Sequence, residues 1–239
     1  MILRRIYEAL MMFLYPPHCP ACGKYLERRG AWCADCLAGA NAVRRLRMTV
    51  EEREVVTEAW ALGIYDGALK KLVQQLKYRK HMDVLPYVQT FLQSVERDFF
   101  QKCLLAAPKA CDNATGARAT KFVAVPVPLY RQKEQQRGFN QTELLFKQWL
   151  TDHGIVMERL LIRTRATRPQ YGLSKDERKT NMRGAFAVPE EKRHDVQDRD
   201  ILLLDDIYTT GVTCAECARA LKKAGAHRVI ALALTSGQT

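Results

Sequence analysis

Between residues 200 and 213 the chain reads Asp200-Ile-Leu-Leu-Leu-Asp-Asp-Ile-Tyr-Thr-Thr-Gly-Val-Thr213, and few folds accommodate that order of residues. The apolar run Ile201 to Leu204 predicts a short strand buried on both faces. Two adjacent carboxylates, Asp205 and Asp206, close it; they repel each other and are costly there unless hydroxyls, a cation or solvent meet them. A Thr-Thr-Gly-x-Thr loop, Thr209 to Thr213, then enters an alanine-rich helix that reaches about Ala224-Gly225, and a last strand covers Arg228 to Leu234. Strand, loop, helix, strand is the repeating unit of a parallel α/β sheet. The loop offers hydroxyls, unblocked N–H groups and the positive end of a helix dipole, which suit a phosphate. The acid pair suits a sugar diol on the same ligand. Capping threonines and surface aspartates on an ordinary βα turn explain each feature singly, but not their conjunction.

The rest of the chain supplies further pieces of such a sheet. A strand is predicted from Trp60 to Asp66, followed from Ala68 by a helix with Leu69, Leu72, Val73 and Leu76 on one face and Lys70, Lys71 and Lys77 on the other. A second helix is expected over Val84 to Phe99, then a loop over 106–120, with no function assigned to Cys103 or Cys111. Lys121 to Pro128 is apolar and β-branched, a buried parallel strand that its prolines stop. The segment after it, with Arg131, Lys133 and Arg137, reads as a basic loop leading to a helix that Asn140 and Glu143 would open as a capping box. A basic loop between a strand's carboxyl end and a helix's amino end lies where open α/β sheets bind ligands.

Four of the eight cysteines fall in one short window, Cys19-Pro-Ala-Cys22 and Cys33-Ala-Asp-Cys36. Two C-x-x-C turns bring four thiolates to one tetrahedral ion, and Gly23 fits the tight turn after Cys22. Disulfides need an oxidising compartment and no export signal is legible, so the expectation is structural Zn²⁺ in a compact ribbon or knuckle. Cys214 and Cys217 sit inside a predicted helix beside alanines and read as small buried residues. The expected organisation is an amphipathic helix over 1–18, the zinc module over 19–40 and an α/β domain over 41–239.

Apolar residues make up 47% of the 239 and charged residues 27%, ordinary globular usage that excludes a disordered or collagen-like chain. No apolar run is long enough for a membrane span. The 38 Lys and Arg against 26 Asp and Glu give a net charge of +12, favouring polyanionic partners. That charge concentrates in 163–183, where Arg163, Arg165, Arg168, Lys175, Arg178, Lys179 and Arg183 face only Asp176 and Glu177. Such a segment reads as a flap, or a helix that orders on binding, able to clamp pyrophosphate or follow a nucleic-acid backbone.

Leu203 to Thr213 resembles the signature of type I phosphoribosyltransferases, which bind 5-phosphoribosyl-1-pyrophosphate (PRPP). With the four-cysteine module, Tyr65-Asp-Gly, Leu76-Lys-Tyr, Val125-Pro-Val-Pro128, Arg137-Gly-Phe-Asn-Gln141 and Gln170-Tyr-Gly-Leu173 with Arg178 and Asn181, the chain as a whole is similar to the ComF family of competence-associated proteins. The resemblance implies a phosphoribosyltransferase-like parallel sheet flanked by helices. It makes Asp205 and Asp206 partners of the ribose hydroxyls, and Thr209, Thr210, Gly211, Val212 and Thr213 the phosphate cradle. Arg131, Arg137, Arg165, Arg168 and Arg178 become pyrophosphate or flexible-loop candidates, and Mg²⁺ would accompany PRPP. It further implies a cytoplasmic role in DNA uptake, with single-stranded DNA or a competence helicase as partner and membrane association only through a competence complex. The alternative it leaves is a metabolic transferase moving phosphoribosyl from PRPP to an amine or base. No counterpart of the hood that recognises a base is evident, so acceptor and turnover stay open.

Overall fold

The computed structural model describes residues 14, 16–79, 81–99, 122–168, 172 and 174–238. Most of the expected N-terminal helix, the expected 106–120 loop with Cys103 and Cys111, and Gln170, Tyr171 and Leu173 lie outside the described residues.

A six-stranded sheet forms from β1 (Asn41–Arg45), β2 (Glu58–Ile64), β3 (Val123–Pro126), β4 (Val156–Met157), β7 (Asp200–Tyr208) and β8 (Arg228–Ser236), in the order β1-β2-β8-β7-β3-β4. All neighbours are parallel except β1, which runs antiparallel to β2. A small two-stranded sheet pairs β5 (Ile162–Arg163) with β6 (Phe186–Ala187).

Both faces of the large sheet are covered, which is why β7 and β8 read as unbroken apolar runs. Successive residues of a strand point to opposite faces. Ile201 and Leu203 accordingly pack with Cys214, Cys217, Ala218 and Leu221 of α9 (Val212–Lys223). Leu202 and Leu204 pack on the other face with α3 (Gly67–Arg79), α4 (Leu85–Phe99) and α6 (Gln141–Asp152). On α3 the predicted stripe Leu69, Leu72, Val73 and Leu76 is buried there.

The short helices are α1 (Ala34–Ala40), α2 (Val50–Arg53), α5 (Arg131–Arg137), α7 (Lys175–Met182) and α8 (Arg193–Val196). The cysteine module docks on α4: the Trp32 indole N–H donates to the Tyr87 carbonyl at 2.9 Å, and its ring lies 6.4 Å from that of Phe91.

Several expectations need correction. Residues 131–137 are helical rather than a loop, closed by Gly138 at φ +84, whose N–H bonds the Glu134 carbonyl at 2.7 Å. Asn140 does cap α6, accepting from the Thr142 N–H, but Glu143 does not complete a box because Arg159 engages it at 2.6 Å. Strand β7 does not stop at Leu204; it runs on to Tyr208 and carries the acid pair within it, with Asp205 opposite Ala233 and Ile207 opposite Thr235 of β8. Part of the basic 163–183 segment is ordered: α7 opens with a reciprocal capping box between Ser174 and Glu177.

From the central pair β3 and β7 the chain winds outward in opposite directions. β3 passes through α5 and α6 on one face to β4, and β7 passes through α9 on the other face to β8. Their carboxyl ends therefore diverge and leave a crevice, the switch point at which open α/β sheets bind ligands. At β2, Gly63 allows α3 and α4 to approach: a Cβ there would stand 2.5 Å from Leu69 Cδ1 and 2.8 Å from Phe91 Cζ. Overpacking of this kind costs about 1–3 kcal/mol, so Gly63→Ala is expected to lower the unfolding free energy by that amount, seen as a lower denaturant midpoint at an unchanged m-value.

Candidate functional site

The crevice collects residues from five elements. Strand β7 delivers Asp205 and Asp206, α9 presents its amino end, α5 brings Lys133 and Arg137, α6 brings Gln141, and α3 brings Lys77. Asp206 is buried, at 5% exposure. Its Oδ2 accepts from the Gln141 amide at 2.8 Å and from Lys77 Nζ at 3.4 Å. Gln141 is held in turn by Arg137, which donates to its Oε1. Asp205 is half-buried; its Oδ1 accepts the Asp206 N–H at 2.9 Å and its Oδ2 faces the Cys214 thiol at 3.8 Å.

The two acids differ electrostatically. Burial together with the charge of Asp206 holds the Asp205 carboxyl well above the ordinary carboxylate range. Burial acts the same way on Asp206, but the Lys77 ammonium and the hydrogen bonds from Asp205, Lys77 and Gln141 outweigh it and hold that carboxyl low. A proton on the pair is thus held more tightly by Asp205 than by Asp206. Burial also pushes the Cys214 and Cys217 thiols up, which fits the small buried residues expected there.

The 209–213 loop turns at Gly211, with φ +74, directly before α9. A Cβ at Gly211 would collide with the Glu52 carboxylate and the Tyr208 hydroxyl. Glu52 is itself buried, accepting the Thr49 N–H at 2.8 Å and the Tyr208 hydroxyl at 3.4 Å. Thr209 is exposed, Thr210 and Thr213 half-buried, and Val212 buried. The Thr209 carbonyl accepts from Gln238, and its hydroxyl accepts from Arg178 of α7 at 3.5 Å.

The predicted cations are therefore distributed unevenly. Arg137 and Arg178 reach the site's own residues. Arg165 instead donates to the carbonyls of Asn181 and Arg183 at the end of α7, at 3.1 and 2.8 Å, and Arg163 is packed on Phe186. Arg131 and Arg168 are exposed. Lys133 had been read only as a loop cation. Burial lowers its pKa first, and the charges of Arg163, Arg137 and Lys77 lower it further, so four cations converge beside the acid pair. Lys77, read on the face of α3 opposite its apolar stripe, reaches Asp206. Gln141 and Lys77 both lie in motifs the sequence displays, but their shared partner is visible only once the chain is folded. A separate cleft of about 350 Å³ flanks α9 between Glu51, Glu52, Lys179, Glu216 and Arg219; Glu51 pairs with Lys179 and Glu216 with Arg219.

The sulfur atoms of Cys19, Cys22, Cys33 and Cys36 all lie within 4.8 Å of one another, with Cys22 and Cys33 at 3.7 Å. Zinc–sulfur bonds of about 2.3 Å in a tetrahedron place sulfurs roughly 3.8 Å apart, so the donor set fits zinc and closes its shell. The first pair sits on a turn in which the Gly23 N–H donates to the Cys19 carbonyl; the second straddles the start of α1. Burial opposes ionisation of Cys19, but the backbone at Cys22, Cys33 and Ala21 and the Cys22 thiol bring it down to about 6. Cys36, facing the other sulfurs, is pushed up to about 12. A divalent cation removes that conflict.

Fold and site together define a doubly wound α/β protein with a four-cysteine module docked on it and a carboxylate pair beside a helix amino end at the switch point. Residues 10–46 match the double zinc ribbon domain family. The chain is 26% identical over 216 residues to competence protein F of Haemophilus influenzae, covering 89% of this chain and 82% of that one. It is 30% identical over 214 residues to the DNA utilization protein YhgH of Escherichia coli K12, covering 88% and 80%. To competence protein ComFC of Bacillus subtilis 168 it is 26% identical over 209 residues, covering 87% and 72%. The chain belongs to this ComF family. Among solved structures, a glutamine PRPP amidotransferase from B. subtilis, complexed with ADP and GMP, aligns with a TM-score of 0.32 at 20% identity over 50% of this chain and 23% of that one. No helix among the described residues is long and apolar enough to cross a membrane.

Two outcomes follow for the module and the loop. The protein is expected to hold one zinc at the four cysteines, lost in Cys33→Ser; chelation should red-shift the fluorescence of Trp32 while far-UV circular dichroism retains the α/β signal. Gly211→Ala is expected to lower stability by about 1–3 kcal/mol through strain at positive φ and collision with Glu52, measurable by chemical denaturation.

Proposed function

We propose that this protein binds PRPP in the crevice at the ends of β3 and β7 and uses that site in the handling of single-stranded DNA. The observation that carries the reading is the adjacency, on one strand–loop–helix unit, of the Asp205–Asp206 pair and the 209–213 loop at the amino end of α9. The acids meet the ribose hydroxyls. Thr209, Thr210, Gly211, Val212 and Thr213 surround the 5-phosphate with N–H groups, hydroxyls and the positive helix end. Lys133 and Arg137 lie where a pyrophosphate would extend from the ribose, with Arg178 over the loop; Arg131, Arg165 and Arg168 are recruited only if the basic segment closes. Mg²⁺ takes one or two carboxylates and otherwise phosphate oxygens and water. With burial opposing ionisation of Asp205 and Asp206 already paired to Lys77, the metal would enter on the pyrophosphate rather than on a preformed cage.

The names of the relatives, competence protein F and DNA utilization protein, support the DNA side of the reading, as does the +12 charge. Single-stranded DNA would follow the exposed cations along α5 and the 163–183 segment, and a helicase-type partner would act on the same strand. Transfer of phosphoribosyl to an amine or base is the second reading, favoured by the convergence of Lys77, Lys133, Arg137 and Arg163 where a departing pyrophosphate would need stabilising.

The test is calorimetric titration of the zinc-loaded protein with PRPP and Mg²⁺. Asp205→Asn combined with Asp206→Asn is expected to weaken binding by about 100-fold or more, since charge-assisted hydrogen bonds contribute about 1.5–3 kcal/mol each. Failure of the parent to bind would remove the PRPP reading. Pyrophosphate release with an added amine or base would establish transfer. For DNA, fluorescence anisotropy of a single-stranded oligonucleotide is expected to show affinity falling steeply between about 50 and 200 mM salt, and falling about tenfold on charge reversal at Arg131 and Arg168. An affinity indifferent to salt would overturn the DNA reading.

A further inference from the structure

Lys77 is the feature of the site that the acid–loop signature does not contain. It comes from α3, a helix outside the strand–loop–helix unit, and its ammonium lies 3.4 Å from Asp206 Oδ2 with only 24% of its side chain exposed. The same oxygen accepts the Gln141 amide at 2.8 Å, and Gln141 is oriented by Arg137 at its other end. Two donors on one oxygen fix the carboxylate plane and turn the remaining oxygen toward Asp205. The Asp206 carbonyl is also tied, accepting the Thr235 hydroxyl at 3.2 Å. Asp206 is thus held from three elements, whereas among the described residues the hydrogen bonds of Asp205 run to Asp206 itself and to the Cys214 thiol, and it remains half-exposed.

We propose that Lys77 and Gln141 are positioning residues of the ribose-phosphate site: acting through Asp206, they divide the acid pair into a fixed acceptor, Asp206, and a less restrained partner, Asp205. A vicinal diol meets such a pair asymmetrically, one hydroxyl giving its proton to the oriented Asp206 and the other meeting Asp205. The division depends on the charges around it. Facing Asp206 are Lys77 from α3, Gln141 from α6 with Arg137 behind it on α5, and Asp205 on its own strand. Facing Asp205 are the thiols of Cys214 and Cys217 on α9, the Arg163 guanidinium from β5 and the Lys77 ammonium again. Lys77 is the cation in direct contact with the pair. Removing it raises Asp206 toward Asp205, so the two acids compete for one proton and then, as pH falls, both become protonated. The assignment of diol roles rests on the ribose-phosphate reading; the control of Asp206 by Lys77 does not.

Carboxyl ¹³C NMR of the zinc-loaded, ligand-free protein separates the two. In the parent, Asp206 is expected to stay ionised below the usual aspartate range, and Lys77→Met is expected to raise its midpoint by about one unit or more, with Lys77→Arg restoring it. PRPP affinity is then followed from pH 5.5 to 8.5. Lys77→Met should bind about tenfold more weakly at neutral pH, with the loss growing toward acid, while Lys77→Arg stays within about threefold of the parent. An unmoved Asp206 midpoint in Lys77→Met overturns the proposal, as does an affinity loss equal at every pH, which would mark a merely structural lysine. A shifted midpoint in a parent that binds no PRPP upholds the relay and refutes the ribose-phosphate reading.

Discussion

Everything at the site depends on placing two carboxylates at the end of a strand that is otherwise buried on both faces. An isolated buried charge would cost more than any single contact returns. The fold meets that cost by favouring the neutral form of Asp205 and by bringing one cation, Lys77, across from another helix. Gln141 satisfies the same oxygen as Lys77, and Arg137 holds Gln141. The helices α3, α5 and α6 are therefore not interchangeable cover for the sheet; each carries a group that the end of β7 requires. The phosphate loop rests on a comparable arrangement from the opposite face, where buried Glu52 accepts the Tyr208 hydroxyl and leaves room only for glycine at 211.

Much of this was legible because it is local. The run from Asp200 to Thr213 places acids, hydroxyls and a helix start within one contiguous stretch, so its geometry follows from strand and helix periods alone. The two C-x-x-C pairs were equally plain, since four thiols at that spacing have few stable alternatives. Lys77 was not legible. Lys70 and Lys77 are seven residues apart, roughly two helical turns, and share one angular position on α3. Yet Lys70 lies over the Tyr65 ring, while Lys77 contacts Asp206. What separates them is which neighbour stands beside each end of the helix, and periodicity does not encode that. Residues 131–137 were misread for a different reason: their basic, polar sequence hides helicity, although Gly138 after Arg137 carries the stop signal of a helix.

The strand that directly follows the cysteine module is tied to the last residues of the sheet. Arg44 of β1 donates to the carbonyls of Ser236 and Gln238, at 3.0 and 2.5 Å. Gln238 exchanges hydrogen bonds with the Arg47 backbone and also reaches the Thr209 carbonyl. The hairpin that follows the metal ligands thus borders the loop assigned to the phosphate. The four cysteines and the loop proposed for phosphate sit in different parts of the chain but are linked through this seam.

The sheet order has a consequence for the protein as it is made. β8 follows every other described strand in the chain, yet it lies in the middle of the sheet, between β2 and β7. Until residues 228–236 leave the ribosome, β1–β2 and β7–β3–β4 are two separate ribbons, each with an apolar edge and no partner. Vectorial synthesis therefore delivers the keystone last, and the nascent chain must be kept from pairing those edges with other molecules. The acid pair acquires its ladder partners only at that final step, so the binding crevice and the completed sheet come into being together.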